Sequence, residues 1–261
     1  MTGIKAAFFD IDGTVVSFKT HRMPDEVRST LIGLHDKGVK IVIASGRPIP
    51  YIDNIKDIPV DAWVGCNGAQ IQDAGGNPLF SHPIDRDQAM LIARTAIENR
   101  IPTYTFSDVE SGINCMNERS TLIRDLLNIK IPPERDILEL CSDYPIYEFT
   151  TYVTLEEEAR IYRPILRNVE YIRWHQMFTD LNPGGIDKGV ALRRLCEIWG
   201  FTPARTAAFG DGGNDIPMLR AAGIGVAMGG AKPEVRAAAD LQAPSVDDDG
   251  IGHTLRQLGI I

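Results

Sequence analysis

Two short blocks hold the residues best suited to chemistry: Asp10-Ile11-Asp12-Gly13-Thr14, which closes the apolar run Ala6-Ala7-Phe8-Phe9, and Gly210-Asp211-Gly212-Gly213-Asn214-Asp215, which closes Thr206-Ala207-Ala208-Phe209. An apolar run ending abruptly in carboxylates reads as a buried parallel strand that delivers acids to the crevice at its carboxyl end, where open α/β sheets bind ligands. Asp-x-Asp-Gly alone is a weak signal, because surface turns and calcium loops use it too. A calcium loop follows a helix and needs further acidic ligands downstream, and neither is present. Two acidic strand ends in one chain predict a site.

The elements that must position these residues alternate at the start. The strand to Ile11 is followed by a helix opening near Pro24-Asp25, with Val27, Leu31 and Leu34 on one face and Gly38 as its stop, and then by a strand over 39–44. This βαβ unit demands a parallel pair with a right-handed crossover, so Ser45-Gly46-Arg47-Pro48 arrives at the same sheet edge as Asp10. A third strand, 62–66, leads to Asn67-Gly68, a pair that favours a tight hairpin, with short antiparallel strands at 69–71 and 78–80 around Gly75-Gly76. Asn67 and Gly68 are read first as a structural turn and second as a substrate contact.

The pattern changes near Pro83. A helix over about 85–99, with Met90, Ala93 and Ile97 aligned, precedes strand-like 103–106 and 113–116, and further mixed elements continue to about Pro183. Antiparallel character of this kind marks an α+β insert. After Gly184-Gly185 the parallel pattern resumes with a helix from Lys188 to Trp199, the strand 206–209, a helix over 215–222, a strand over 224–228, a helix over 233–239 and a terminal helix. Asp247-Asp248-Asp249 reads as a solvated loop or helix-start cluster.

Composition bounds the rest. A chain of 261 residues can bury a large core in one or two domains. A net charge of −8 without a long basic run argues against nucleic-acid or anionic-membrane partners. Cys66, Cys115, Cys141 and Cys196 are dispersed, as expected of buried thiols in a reducing compartment. No signal-peptide pattern or bilayer-length apolar stretch is seen, which predicts a cytoplasmic protein.

Taken in order, Asp10-Ile11-Asp12-Gly13-Thr14, Ser45, Lys188 and the 210–215 block resemble the four motifs of the haloacid dehalogenase-like (HAD) phosphatases. The long insert between the second and third motifs resembles the class IIB cap of the Cof-type sugar-phosphate phosphatases. The resemblance implies an α/β fold: a Rossmann-like parallel-sheet core from 1–82 and 184–261, with an α+β cap over 83–183 that selects the leaving group and excludes water. It implies Asp10 as a nucleophile forming an aspartyl-phosphate and Asp12 as the acid/base. Ser45, the Gly46 N–H, Lys188 and Asn214 would hold phosphate, and Arg47 would clamp substrate or pair with a cap carboxylate. Two carboxylates beside a phosphate dianion need positive charge, which the resemblance supplies as Mg2+ on the Asp10 carboxylate, the Asp12 carbonyl and Asp211, with Asp215 as a ligand or an orienter. Relatives often carry a small hydroxyl residue immediately before the lysine, and here Asp187 stands in that place.

The expected activity is magnesium-dependent hydrolysis of phosphomonoesters of small metabolites, with sugar phosphates foremost, by a monomer. The alternatives are a phosphatase of a nucleotide or vitamin phosphate, a phosphotransfer enzyme such as a mutase, and a non-catalytic phosphometabolite-binding regulator. The stretch Tyr171-Ile172-Arg173-Trp174-His175 has an aromatic face that suits a sugar ring, although an alternating edge strand looks the same.

Overall fold

The computed structural model describes residues 3–55, 57–127 and 132–261, and the side chains of Ile123, Asp125, Leu126, Leu127 and Trp174 lie outside that description. The chain forms two compact units, Met1–Ser81 with Ile186–Ile261, and His82–Gly185.

The first unit begins with β1 (Ala6–Phe9), α1 (Asp25–Asp36), β2 (Lys40–Ala44) and β3 (Ala62–Gly65), followed by the hairpin strands β4 (Gln70–Asp73) and β5 (Pro78–Ser81). The second unit contributes α2 (Arg86–Glu98), β6 (Thr103–Ser107), β7 (Ser111–Ile113), α3 (Glu118–Leu127), α4 (Ile137–Asp143), β8 (Ile146–Thr151), α5 (Leu155–Ile161), β9 (Val169–His175) and β10 (Phe178–Pro183). The chain then returns to the first unit as α6 (Lys188–Trp199), β11 (Thr206–Gly210), α7 (Ile216–Ala221), β12 (Ile224–Ala227), α8 (Pro233–Arg236), β13 (Leu241–Gln242) and α9 (Gly250–Gln257).

The first unit is an eight-stranded sheet in the order β13-β12-β11-β1-β2-β3-β4-β5. Its pairs are parallel from β13 to β3 and antiparallel across the β3-β4-β5 edge. Strand alternation divides the core between two helical layers. Ala7 and Phe9 pack with Val27, Leu31 and Leu34 of α1 and with Ile251 and Leu255 of α9. Ala6 and Phe8 pack on the other face with Ala191, Leu192 and Leu195 of α6 and Met218 and Leu219 of α7. Because both faces of β1 are covered, the strand is apolar at every position and fully buried, as the run Ala6–Phe9 predicts.

Register places the chemistry. Phe9 pairs with Phe209 on one side and with Ile43 on the other, so Asp10, Gly210-Asp211 and Ser45 all leave the sheet at one edge. The rings of Phe9 and Phe209 stack at 5.1 Å, fixing the two acidic strand ends against each other.

The second unit is an antiparallel sheet, β7-β6-β8-β10-β9, separate from the first. Its apolar cluster joins Ala89, Ile92, Ala93 and Ala96 of α2 to Phe149 and Leu181 of the sheet. The buried stripe of α2 therefore runs through these residues with Met90 packed against it, whereas Ile97 is 41% exposed. The expected strand at 113–116 stops at Ile113, since the Asn114 side chain replaces the ladder by accepting from the Thr103 N–H and donating to the Ile101 carbonyl. The helix expected over 233–239 ends at Arg236. All four cysteines are free.

Candidate active site

The acidic loop after β1 is tied down locally. The N–H groups of Thr14, Val15 and Val16 all donate to the Ile11 carbonyl, and the Gly13 N–H donates to the Val16 carbonyl. Gly13 has φ +83°, and a Cβ there would run into the Asp211 carboxylate, so glycine is what allows the two acidic loops to meet. The Asp10 N–H donates to the Phe209 carbonyl, continuing the β1–β11 ladder one residue into the site.

Lys188 stands at the first position of α6 and is 1% exposed. Its Nζ donates to Asp10 Oδ1 at 2.6 Å and to Asp215 Oδ1 at 2.6 Å. Asp187 caps the same helix by accepting from the Val190 N–H at 2.7 Å, so the residue that departs from the motif is spent on the helix start. Asp215, fully buried, uses its other oxygen to accept from the N–H groups of Asp211 and Gly212 at 3.0 and 2.9 Å. That leaves Asp215 holding Lys188 and the loop in place, while among the described residues Asp10 and Asp211 keep carboxylate oxygens that no other residue bonds.

The electrostatics follow from this burial. Asp10 is pushed up to about 8, first by desolvation and then by the Asp215 charge, against the pull of Lys188. Asp211 is raised to about 7 by desolvation, with Asp215 adding to the effect. Burial opposes the charge on Lys188, yet Asp10 and Asp215 outweigh it and hold the ammonium protonated well above its ordinary range. Ligand oxygens of Asp10, Asp211 and Asp215 lie within 4.8 Å of one another. Three carboxylates around one ammonium carry surplus negative charge, and their hard oxygens suit a divalent cation of the magnesium class.

Ser45 is 3% exposed, and its Oγ accepts from the Arg47 N–H at 3.0 Å, which leaves the hydroxyl hydrogen free to donate. Among the described residues the Gly46 N–H has no protein acceptor. Arg47 donates from Nη2 to Asp12 Oδ2 at 2.5 Å, with both side chains somewhat more than one-third exposed. That pairing is within the first unit, to Asp12, which sequence order did not suggest. The Asn214 side chain donates from Nδ2 to Asn67 Oδ1 at 2.9 Å, so the Asn-Gly turn reaches the last motif, a connection also missed in the sequence.

The polar stretch of β9 is largely engaged within its own unit. The Arg163 guanidinium covers the Tyr171 ring at 4.3 Å, Arg173 donates to Glu158 and to the carbonyls of Val153 and Phe178, and His175 stacks on Phe178 at 5.3 Å. The Trp174 side chain lies outside the described residues.

A family model described as haloacid dehalogenase-like hydrolase matches residues 7–255. The chain belongs to that family. Two solved structures resemble this HAD-like chain over nearly its whole length. One is the phosphatase BT1666 from Bacteroides thetaiotaomicron, 32% identical, covering 99% of this chain and 96% of that one, with a TM-score of 0.91. The other is the HAD subclass IIB sugar phosphatase BT4131, 35% identical over 98% of this chain and all of that one, with a TM-score of 0.86. A relative from Streptococcus pyogenes serotype M6, named for phosphatase and peptidyl-prolyl cis-trans isomerase activities, is 28% identical over 265 residues, and this chain spans 54% of its length. The chain is a HAD-like phosphatase of the Cof type, with the expected α/β fold. No helix among the described residues is long and apolar enough to cross a membrane.

Proposed function

We propose that the protein hydrolyses phosphomonoesters of small metabolites, sugar phosphates foremost, through a phosphoryl group carried on Asp10. The observation that supports this most strongly is Lys188, a buried ammonium 2.6 Å from Asp10, beside strand ends that also present Ser45 and Asp211. The sugar-phosphate assignment draws on the 35% identical sugar phosphatase.

In the first step an Asp10 carboxylate oxygen attacks phosphorus in line with the departing oxygen. The phosphorus–oxygen bond to the leaving group breaks as Asp12 gives that oxygen a proton. In the second step Asp12 takes a proton from water, whose oxygen bonds to phosphorus while the Asp10–phosphorus bond breaks, releasing inorganic phosphate. Lys188 keeps Asp10 oriented and offsets its charge, and the Ser45 hydroxyl and Gly46 N–H meet the phosphate oxygens. Arg47, now paired with Asp12, can move its guanidinium onto the arriving phosphate and free Asp12 for proton transfer.

Asp10, Asp211 and the Asp12 carbonyl would hold Mg2+, with Asp215 orienting the Asp211 loop and Lys188. Bound there, the cation supplies the charge that lets carboxylates stay ionised beside a phosphate dianion. We assign residues 83–183 the choice of leaving group and residues 1–82 with 184–261 the chemistry, as the resemblance implies. A screen of phosphate esters at saturating magnesium, with hexose phosphates, nucleotides and vitamin phosphates side by side, tests the reading. Phosphate release fastest from hexose phosphates supports it. Transfer to a second sugar in place of water, or binding without turnover across the panel, overturns it.

A further inference from the structure

The turn Cys66-Asn67-Gly68 holds three successive residues at positive φ, +46°, +54° and +110°. Only the last is glycine. Asparagine tolerates that region, but for Cys66 it costs on the order of 1 kcal/mol or more, and such strain persists only where the surroundings impose it. The surroundings are specific. The Cys66 N–H donates to the Arg47 carbonyl and the Asn67 N–H to the Ser45 carbonyl, so the turn is stitched to the Ser45-Gly46-Arg47 loop on both sides of Gly46. Gly68 presses against the Asp187 carbonyl, one residue before Lys188. A single strained turn therefore touches two of the segments that carry phosphate donors.

Its side chain reaches a third. Asn67 is 7% exposed, whereas Asn214 is exposed, and the buried Asn67 Oδ1 accepts from the exposed Asn214 Nδ2 at 2.9 Å. Both amides crowd the α-carbon of Gly46, where a Cβ would lie 3.3 Å from Asn67 Oδ1 and 3.5 Å from Asn214 Nδ2. An exposed asparagine has several rotamers and two amide orientations. A buried acceptor on a strained, fixed turn leaves it one.

We propose that Asn67 is a positioning residue that aims the Asn214 amide at the phosphate beside the Gly46 N–H. This inference rests on the phosphatase reading for what is bound, and on the turn alone for how Asn214 is held. With one Asn214 Nδ2 hydrogen held by Asn67 Oδ1, the second is left to donate to the phosphate and needs no rearrangement when charge accumulates on the transferring group. The strained backbone is what delivers Asn67 Oδ1 to that spot.

The test is a cycle of Asn67→Gly, Asn214→Ala and the double variant in the full chain. Glycine accepts the positive φ without cost, so Asn67→Gly removes the amide and spares the turn, and thermal unfolding checks that it does. Two readouts are taken: kcat/KM for p-nitrophenyl phosphate with magnesium, and calorimetric affinity for inorganic phosphate. Each single variant is expected to lose on the order of ten- to a hundred-fold in kcat/KM, and the double no more than the weaker single. Asn67→Asp, which keeps the acceptor, is expected to retain the Asn214 dependence that Asn67→Gly loses. Losses that multiply in the double variant, or an Asn67→Gly enzyme that matches the wild type, overturn the proposal. If the wild type turns over no ester yet phosphate affinity shows the same non-multiplying pattern, the phosphatase reading falls and the positioning role stands. If neither readout depends on Asn67, the positioning role falls whatever the turnover.

Discussion

Lys188 Nζ sits 2.6 Å from Asp10 Oδ1, although 178 positions of sequence separate them. The contact joins the first strand end to the start of α6, and the same ammonium reaches Asp215 at 2.6 Å. One buried cation thus organises carboxylates from two distant segments.

Removing that cation strands buried negative charge. Lys188→Met is expected to lose about 3 kcal/mol or more of stability in metal-free buffer, the usual cost of breaking a buried pair, and to lose nearly all turnover. Urea unfolding followed beside the phosphate-release assay checks both. A variant as stable as the wild type would mean that the surplus charge is dissipated elsewhere.

The acid cluster gives the metal-free protein a characteristic pH dependence. Asp10 and Asp211, ordinarily near 3.8, are raised to about 8 and about 7 in the folded state. The folded protein therefore holds more protons than the unfolded chain between about pH 4 and 8, and stability contributed by these protons is present below that window and lost as pH rises through it. Thermal midpoints in chelator should fall from pH 5 to pH 8, and the gain on adding magnesium should grow over the same range as the cation displaces those protons. A magnesium effect independent of pH would place the ion away from Asp10 and Asp211.

Much of this site was legible because the strand ends announce it. Apolar runs closing in Asp10 and in Gly210-Asp211 predicted parallel neighbours, and register follows once β1 must be buried on both faces. What stayed hidden depends on side-chain geometry across distant segments. Arg47 could be placed at the crevice from its strand end, but nothing in sequence order says that its guanidinium meets Asp12. Asn67-Gly68 reads as a hairpin turn, which it is, and the pair favours left-handed backbone, but nothing in sequence order says that the Asn67 side chain meets Asn214. Asn114 ended a strand early for the same kind of reason, by substituting its side chain for the ladder.

Asp12 and its partner can be separated by mutation. Asp12→Asn should keep the fold and much of the magnesium affinity, because the ligand assigned there is the main-chain carbonyl, and should lose about two to four orders of magnitude in turnover. Metal titration by calorimetry and steady-state kinetics distinguish the two effects. Collapse of magnesium affinity with normal turnover once the metal is restored would reverse the assignment.

In the second unit, Glu148 is buried beside Asp180 and accepts from Asn182 Nδ2 at 3.0 Å. Desolvation first, then the Asp180 charge, raises it well above the ordinary 4.5. By the same sign argument, its share of stability is present at acid pH and lost as pH rises. Glu148→Gln keeps an acceptor for Asn182 and should leave the protein more stable than the wild type at pH 8, with little difference at pH 4. Denaturant titrations at the two values check this, and an equal change at both would assign the effect to packing.

If the phosphoryl group rests on Asp10 between two displacements, the stereochemical course at phosphorus records both. With a substrate whose phosphoryl group is made chiral by isotopic oxygen and sulfur, two in-line displacements return the product with overall retention of configuration. Inversion, the signature of a single direct attack by water, would contradict a phosphoryl group resting on Asp10.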